Sequence, residues 1–309
     1  MAFNLLVAIP LTGVLVRWRA HYTPKRARNR NRAGEGQQQQ EQEVRGYFTI
    51  LQRVYAIEGL SGFYKGLVPN ILSFVCTMAV MTLFFPRLLP FVRQSEDRGD
   101  AKSGTDNIFL DPNIALAKRL AYWTTESVFS IPLQIITNRA ITTSYKLPWA
   151  SPTKSLNVLL SQAERRSPWK LYLLPGYTLS RAVMLAFWLG VGPIRHVLLP
   201  DVGKLRVAQQ ALLPYLLFGL LSALVQTPLQ VAGVRLSLQR NQDTESVGGG
   251  GRSEEQVSDV ERYSTEDVIV VKDTYRFPYS GLVDCFDTII NEESWKTLLK
   301  SGWLTFMGM

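Results

Sequence analysis

The chain has 309 residues and carries 34 Lys plus Arg against 25 Asp plus Glu, a formal charge of +9. That length suits one large domain or two ordinary ones, and a basic balance suits nucleic acid, an anionic membrane surface or anionic small molecules alike. Cys76 and Cys285 are too few for a disulfide framework and fall in no zinc-binding spacing, while His21 and His196 accompany no Ser or Cys nucleophile motif. With no nucleophile–base, metal or phosphate-loop constellation, the expectation is a protein that is not an enzyme and uses no cofactor.

In chain order, the apolar start lacks the basic n-region and the small-residue cleavage site of a signal peptide. It runs into Pro10-Leu-Thr-Gly-Val-Leu-Val-Arg17. Residues 21–45 hold Lys25, Arg26, Arg28, Arg30 and Arg32, then a Gln run. No aromatic residues interleave with these cations, so a nucleic-acid partner is not expected. Residues 66–86 carry no charge and approach the ~20 residues that cross a bilayer. Residues 113–142 form an amphipathic span. Residues 171–200 form another, interrupted by Arg181 and Arg195, and residues 205–238 a further one. Amphipathic spans suit a bundle around a polar cavity. Residues 239–273 are rich in Gly, Ser and acids, and they and residues 21–45 lack a core-forming pattern; structureless chain is expected at 24–43 and 242–262.

Three segments align without gaps. Pro10…Arg17, Pro132-Leu-Gln-Ile-Ile-Thr-Asn-Arg139 and Pro228-Leu-Gln-Val-Ala-Gly-Val-Arg235 each place Arg seven positions after Pro. A proline in a helix removes one backbone bond and kinks it, so three such helices can converge at one end, with each Arg reaching past that end. A short amphipathic element follows each. The first contains Glu58-Gly59 through Tyr64-Lys65-Gly66, the third runs from Gly281 through Glu293 to Ser301, and the second is blurred over residues 166–172.

These residues resemble the mitochondrial carrier family, whose signature is Pro-x-acidic-x-x-basic-x-basic followed by acidic-Gly-x4-aromatic-basic-Gly. Residues 58–66 match the second half at every fixed position. The resemblance implies an all-α membrane protein, a three-repeat helical bundle with repeats at 1–94, 108–200 and 205–309. About five full transmembrane helices are present. Few residues precede Pro10 and few follow Ser301, so a degenerate member truncated before its sixth helix is expected. The loops at 21–45, 144–170 and 239–296 would face the matrix, since short basic loops stay on the uninserted side.

The departures are specific. Where the family carries an acidic and a basic residue after each Pro, this chain has Thr12, Gln134 and Gln230 opposite Leu15, Thr137 and Gly233. No ion-pair ring can form there, and neutral hydrogen bonds of about 1 kcal/mol each remain, so a weak gate is expected. The second family gate, at residues 85–89 and 193–197, lacks its acids.

The resemblance puts Arg181 and Ala182 on the fourth helix and Ser73 on the second at substrate-contacting positions. Lys118, Arg119 and Glu126 on the third helix are second choices. An Arg inside a span favours a carboxylate or phosphate. Transport of a small anionic metabolite across the mitochondrial inner membrane is the first reading, by a monomer in contact with membrane lipid, cardiolipin included. A non-transporting carrier-fold scaffold of the outer membrane, for fusion or insertion, is the alternative.

Overall fold

The structure, a computed structural model, describes residues 2–25, 46–83, 116–148, 151–198, 205–241, 261–264, 266–275 and 277–308. Its elements are helical throughout these residues, apart from one isolated antiparallel bridge between Tyr145 and Arg262. The long helices are α1 (Ala2–Ala20), α3 (Leu67–Leu83), α4 (Leu116–Thr142), α7 (Tyr177–Leu198) and α8 (Leu205–Leu238). Shorter ones follow the Pro helices. They are α2 (Tyr47–Phe63), α5 (Pro152–Leu159), α6 (Gln162–Arg166) with a 3-10 turn at Pro168–Leu173, α9 (Leu282–Glu292), α10 (Trp295–Leu299) and α11 (Gly302–Met307).

Pro10, Pro132 and Pro228 lie inside α1, α4 and α8, and these three helices pack pairwise against one another. Among the described residues, one helix is apolar and long enough to cross a bilayer by its own hydropathy: the part of α8 at Leu213–Leu238. The α2–α3 pair passes only together, with a bend of 45° at the break. Polar residues within α4 lower its hydropathy, and the apolar part of α7, Tyr177–Val191, is shorter than a full span, as for helices that wall a polar interior.

Burial is concentrated where the C-terminal ends of α1, α4 and α8 meet the short helices. One cluster joins Ile135, Leu171, Tyr177, Leu236, Cys285 and Ile289, and a second joins Val14, Trp18, Ile50, Val54 and Val234. Away from this end, Val68, Leu72, Phe74, Val75, Leu217, Leu221 and Val225 are exposed, as an apolar surface against lipid acyl chains would be. Trp18, Tyr47 and Trp303 stack edge-on in a triangle, with centroids 6.0–6.5 Å apart, and so tie α11 to α1 and α2.

The expected structureless stretches fall almost wholly outside the described residues, but the reading of 239–273 as linker is not what the structure shows where it can be seen. Gln239 is buried and exchanges hydrogen bonds with the backbone of Tyr279. Val268 and Ile269 are buried in the second core cluster. The Gly/Ser/acid composition masked a short apolar run, Val268-Ile-Val-Val271, that has a core to enter.

Among the described residues three glycines, Gly59, Gly66 and Gly176, adopt a positive φ. Gly59 sits at φ +67 inside α2, breaking the helix directly after Glu58. Gly176, at φ +75, starts α7, and a Cβ there would lie 2.4 Å from the backbone nitrogen of Leu282. Backbone cannot yield as a side-chain tip can. Gly176→Ala is therefore expected to separate α7 from α9 and to abolish a monodisperse folded species in size-exclusion chromatography. A variant with wild-type melting temperature would contradict this packing.

Candidate functional site at the convergent helix ends

The three repeat arginines are buried, at 1%, 3% and 4% exposure for Arg17, Arg139 and Arg235. A guanidinium in such a place needs a partner, because an uncompensated buried charge costs several kcal/mol. Each has one in its own repeat. Arg17 Nη2 lies 2.6 Å from Glu58 Oε2. Arg139 grips Glu164 with two bonds, of 2.7 and 3.0 Å. Arg235 grips Glu293 likewise, Nη1 on Oε1 and, at 3.1 Å, Nη2 on Oε2. Forked Arg–carboxylate bonds are among the strongest a protein makes.

The remaining donors do a second job. Arg139 Nε donates to Ser237 O at 2.9 Å and Nη2 to Gln239 O at 2.5 Å. Arg235 Nε donates to Arg19 O at 3.2 Å and Nη2 to His21 O at 3.0 Å. These acceptors stand two and four positions after the next helix's own repeat arginine. They belong to the last carbonyls of α8 and α1, which a helix leaves unpaired and negative. Each guanidinium thus fixes its own short helix and caps its neighbour. The third link differs. Arg17 turns to Gly62 O in its own repeat, and its Nη1 is buried without a partner. Lys65 caps the end of α4 in its place, at 2.7 Å from Thr143 O, while also holding Glu58 Oε1 at 2.6 Å. Lys300, at the matching position of the third repeat, reaches His21 O at 3.3 Å, and Leu171 occupies that position in the second.

The Thr12, Gln134 and Gln230 ring does not assemble. Thr12 Oγ1 bonds its own helix at Ala8 O, 2.8 Å, and Thr137 bonds Leu133 O, 2.8 Å. Gln134 is exposed and accepts only from the Tyr177 hydroxyl, at 3.3 Å. Gln230 accepts from Arg19 at 2.5 Å and from Thr305 at 3.2 Å. Arg19, which the motif does not include, also reaches Ser301 and Thr305, and so joins α1 to α8 and α11. Polar short side chains on a helix bond their own backbone more readily than they span a gap.

Arg181 lies half-buried on α7 beside exposed Ala182, and Ser73 half-buried on α3. α4 packs against both helices and stands between them. Glu126 on α4 has one carboxylate oxygen buried without a partner. The side chains of Lys118 and Arg119, and residues 85–89 of the second gate, lie outside what the structure describes, as do those of Pro193, Arg195 and Val197.

Two of these residues were hidden in the sequence. Glu164 is followed by Arg165 where the signature has Gly, so the acidic-Gly pair is absent. The available signal was Ser161-Gln-Ala-Glu164, a capping box that both side chains complete. Arg19 had no signal beyond its charge.

Three Pro-bearing helices are thus latched at one end by buried arginines, with Arg181 on α7 and Glu126 on α4 away from that end. Residues 1–95 match the family described as mitochondrial carrier protein. No curated protein matches the chain. Among the described residues no group of His, Cys, Asp and Glu could hold a metal ion.

Electrostatics at this end are uneven. Burial alone would raise the Glu164 carboxyl, but Arg139 and the amides of Ser161 and Asn241 hold it below the ordinary carboxylate value. Burial, and then Arg235, pull the Lys300 ammonium down to about 7, against the attraction of Glu293. His21 beside it is pulled down to about 4 by burial, then by Lys300, Arg235 and Arg53. In the unfolded chain Lys300 keeps its proton up to about 10.5. The unfolded state therefore binds the extra proton between about 7 and 10.5, and folding stability rises with pH through that window. Lys300→Met removes this dependence. Its melting temperature relative to wild type should be most favourable near pH 7 and should fall off toward pH 10. A pH-independent difference would show that Lys300 keeps an ordinary pKa.

Proposed function

We propose that the chain moves a small anionic metabolite across the mitochondrial inner membrane by alternating access. The three repeats, at 1–94, 108–200 and 205–309, move about a central site. The observation that carries this reading is Arg181. It lies half-buried within α7, and no hydrogen bond or ion pair to a described residue engages it. An unpaired guanidinium on a membrane-spanning helix is poised for a carboxylate or phosphate. Glu126 and Arg181 both act on the Tyr177 hydroxyl, so they share one neighbourhood without pairing. The negative charge of Glu126 disfavours a polyanion. A monocarboxylate, or a solute that bears an ammonium group as well, suits the site best.

The convergent end supports a particular motion. The Arg–Glu pairs lie within repeats, whereas the Arg and Lys bonds to helix-end carbonyls run between repeats. Breaking a buried pair costs about 3–5 kcal/mol, whereas a charged hydrogen bond to a carbonyl contributes about 1.5–3 kcal/mol, and entering water can replace it. Opening therefore keeps each Pro helix rigidly joined to its short helix and exchanges only the caps.

The test is exchange of labelled carboxylates, amino acids and nucleotides by the purified protein in liposomes. Arg181→Ala should abolish exchange. Gln134→Ala, whose side chain makes one long bond, should lower it roughly tenfold or less. Equal damage from both changes, or no uptake of any solute above empty liposomes, would overturn the reading.

A further inference from the structure

Residues 261–264 and 266–272 of the third repeat reach across to the first and second repeats, while Lys272 also pairs with Glu292 of their own. On one side, Lys146 N donates to Glu261 O at 2.8 Å and Tyr263 N to Ser144 O at 3.2 Å, which sets Tyr145 opposite Arg262 just beyond the end of α4. On the other side, Tyr22 N donates to Val270 O at 2.8 Å, and Val268 and Ile269 insert among Val14, Trp18, Tyr47 and Ile50. Between these anchors Asp267 holds both repeats at once. Its carboxylate accepts from Ser144 Oγ at 2.5 Å, and its carbonyl accepts from Arg53 on α2 at 3.2 Å. The Tyr263 ring sits 4.3 Å from Lys65 Nζ, the group that caps α4. The line crossed is the α1–α4 seam. It is the one of three where the repeat arginine does not cap the neighbour and leaves a buried nitrogen unpartnered.

We propose that residues 261–264 and 266–270 form a strap across the α1–α4 seam, that this seam opens first at the convergent end, and that release of the strap gates it. The strap supplies from outside the hold that Arg17 does not supply from within. Asp267 and Arg262 are exposed and Tyr263 partly so, and the hydrogen bonds at this anchor lie at the surface, so it can detach without unfolding a helix. Val268 and Ile269 form the apolar hinge that stays seated.

Two changes push the strap in opposite directions. Tyr145 and Arg262 face each other as a non-hydrogen-bonded antiparallel pair, the closer of the two pairings, so Tyr145→Cys with Arg262→Cys can form a disulfide that locks it. Tyr263→Ala with Asp267→Ala loosens it, and neither side chain is itself buried. The transport readout rests on the carrier reading above; backbone hydrogen exchange of residues 139–146 does not. The loosened protein should exchange there several-fold faster than wild type. The locked protein should lose solute exchange by an order of magnitude or more and recover it with dithiothreitol, while each single-cysteine variant behaves as wild type. Unchanged hydrogen exchange in the loosened protein, or full solute exchange in the oxidised double cysteine, overturns the strap. If wild type moves no solute, the transport reading fails and hydrogen exchange alone decides the strap.

Discussion

Three arginines with almost no solvent contact hold the helix ends together, and the rest of the architecture follows from satisfying them. A guanidinium brings five donors in a fixed plane. In Arg139 and Arg235 a glutamate takes one edge and the carbonyls of the neighbouring helix take the rest. The short helices exist in the places they do because Glu58, Glu164 and Glu293 must arrive at those arginines. The break at Gly59 turns the chain immediately after the first of these acids. The convergence of α1, α4 and α8 is therefore a consequence of capping as much as of kinking.

The same geometry accounts for what was legible in the sequence and what was not. Proline-to-arginine spacing is a helical periodicity, fixed at seven positions, so the three Pro helices and their common end could be read directly. Glu58 and Glu293 stood in signature positions, but the link from arginine to glutamate crosses loops of unequal length, and spacing alone cannot join them. Glu164 lacked its glycine. Arg19 acts through partners on α8 and near α11, which no local pattern connects. Residues 266–272 were misread because overall composition outweighed four apolar residues. The expected neutral gate ring failed for a local reason: Thr12 and Thr137 each have a backbone carbonyl of their own helix within reach.

Loss of the charged ring thus does not leave the convergent end loose. Closure is carried one turn further along, by paired charges inside each repeat and by caps between repeats. Such closure is unequal around the axis. The end of α1 receives Arg235 and Lys300, the end of α8 receives Arg139, and the end of α4 receives only Lys65 among the cationic side chains at these homologous positions. A threefold frame with one lightly capped seam has a preferred place to part, and a two-state motion needs such a place if small differences in solute binding are to shift it.

The central claim is that Arg139 and Arg235 each serve two masters, their own glutamate and the neighbouring helix. Thermal stability of the charge-reversed pair Arg235→Glu with Glu293→Arg tests it most directly. Reversal restores the ion pair but leaves the Arg19 and His21 carbonyls without the guanidinium that caps them, each such bond contributing about 1.5–3 kcal/mol. The double variant should be more stable than either single change yet should melt several degrees below wild type. Full recovery of the wild-type melting temperature would show that pairing alone holds the end together, and that the caps contribute nothing.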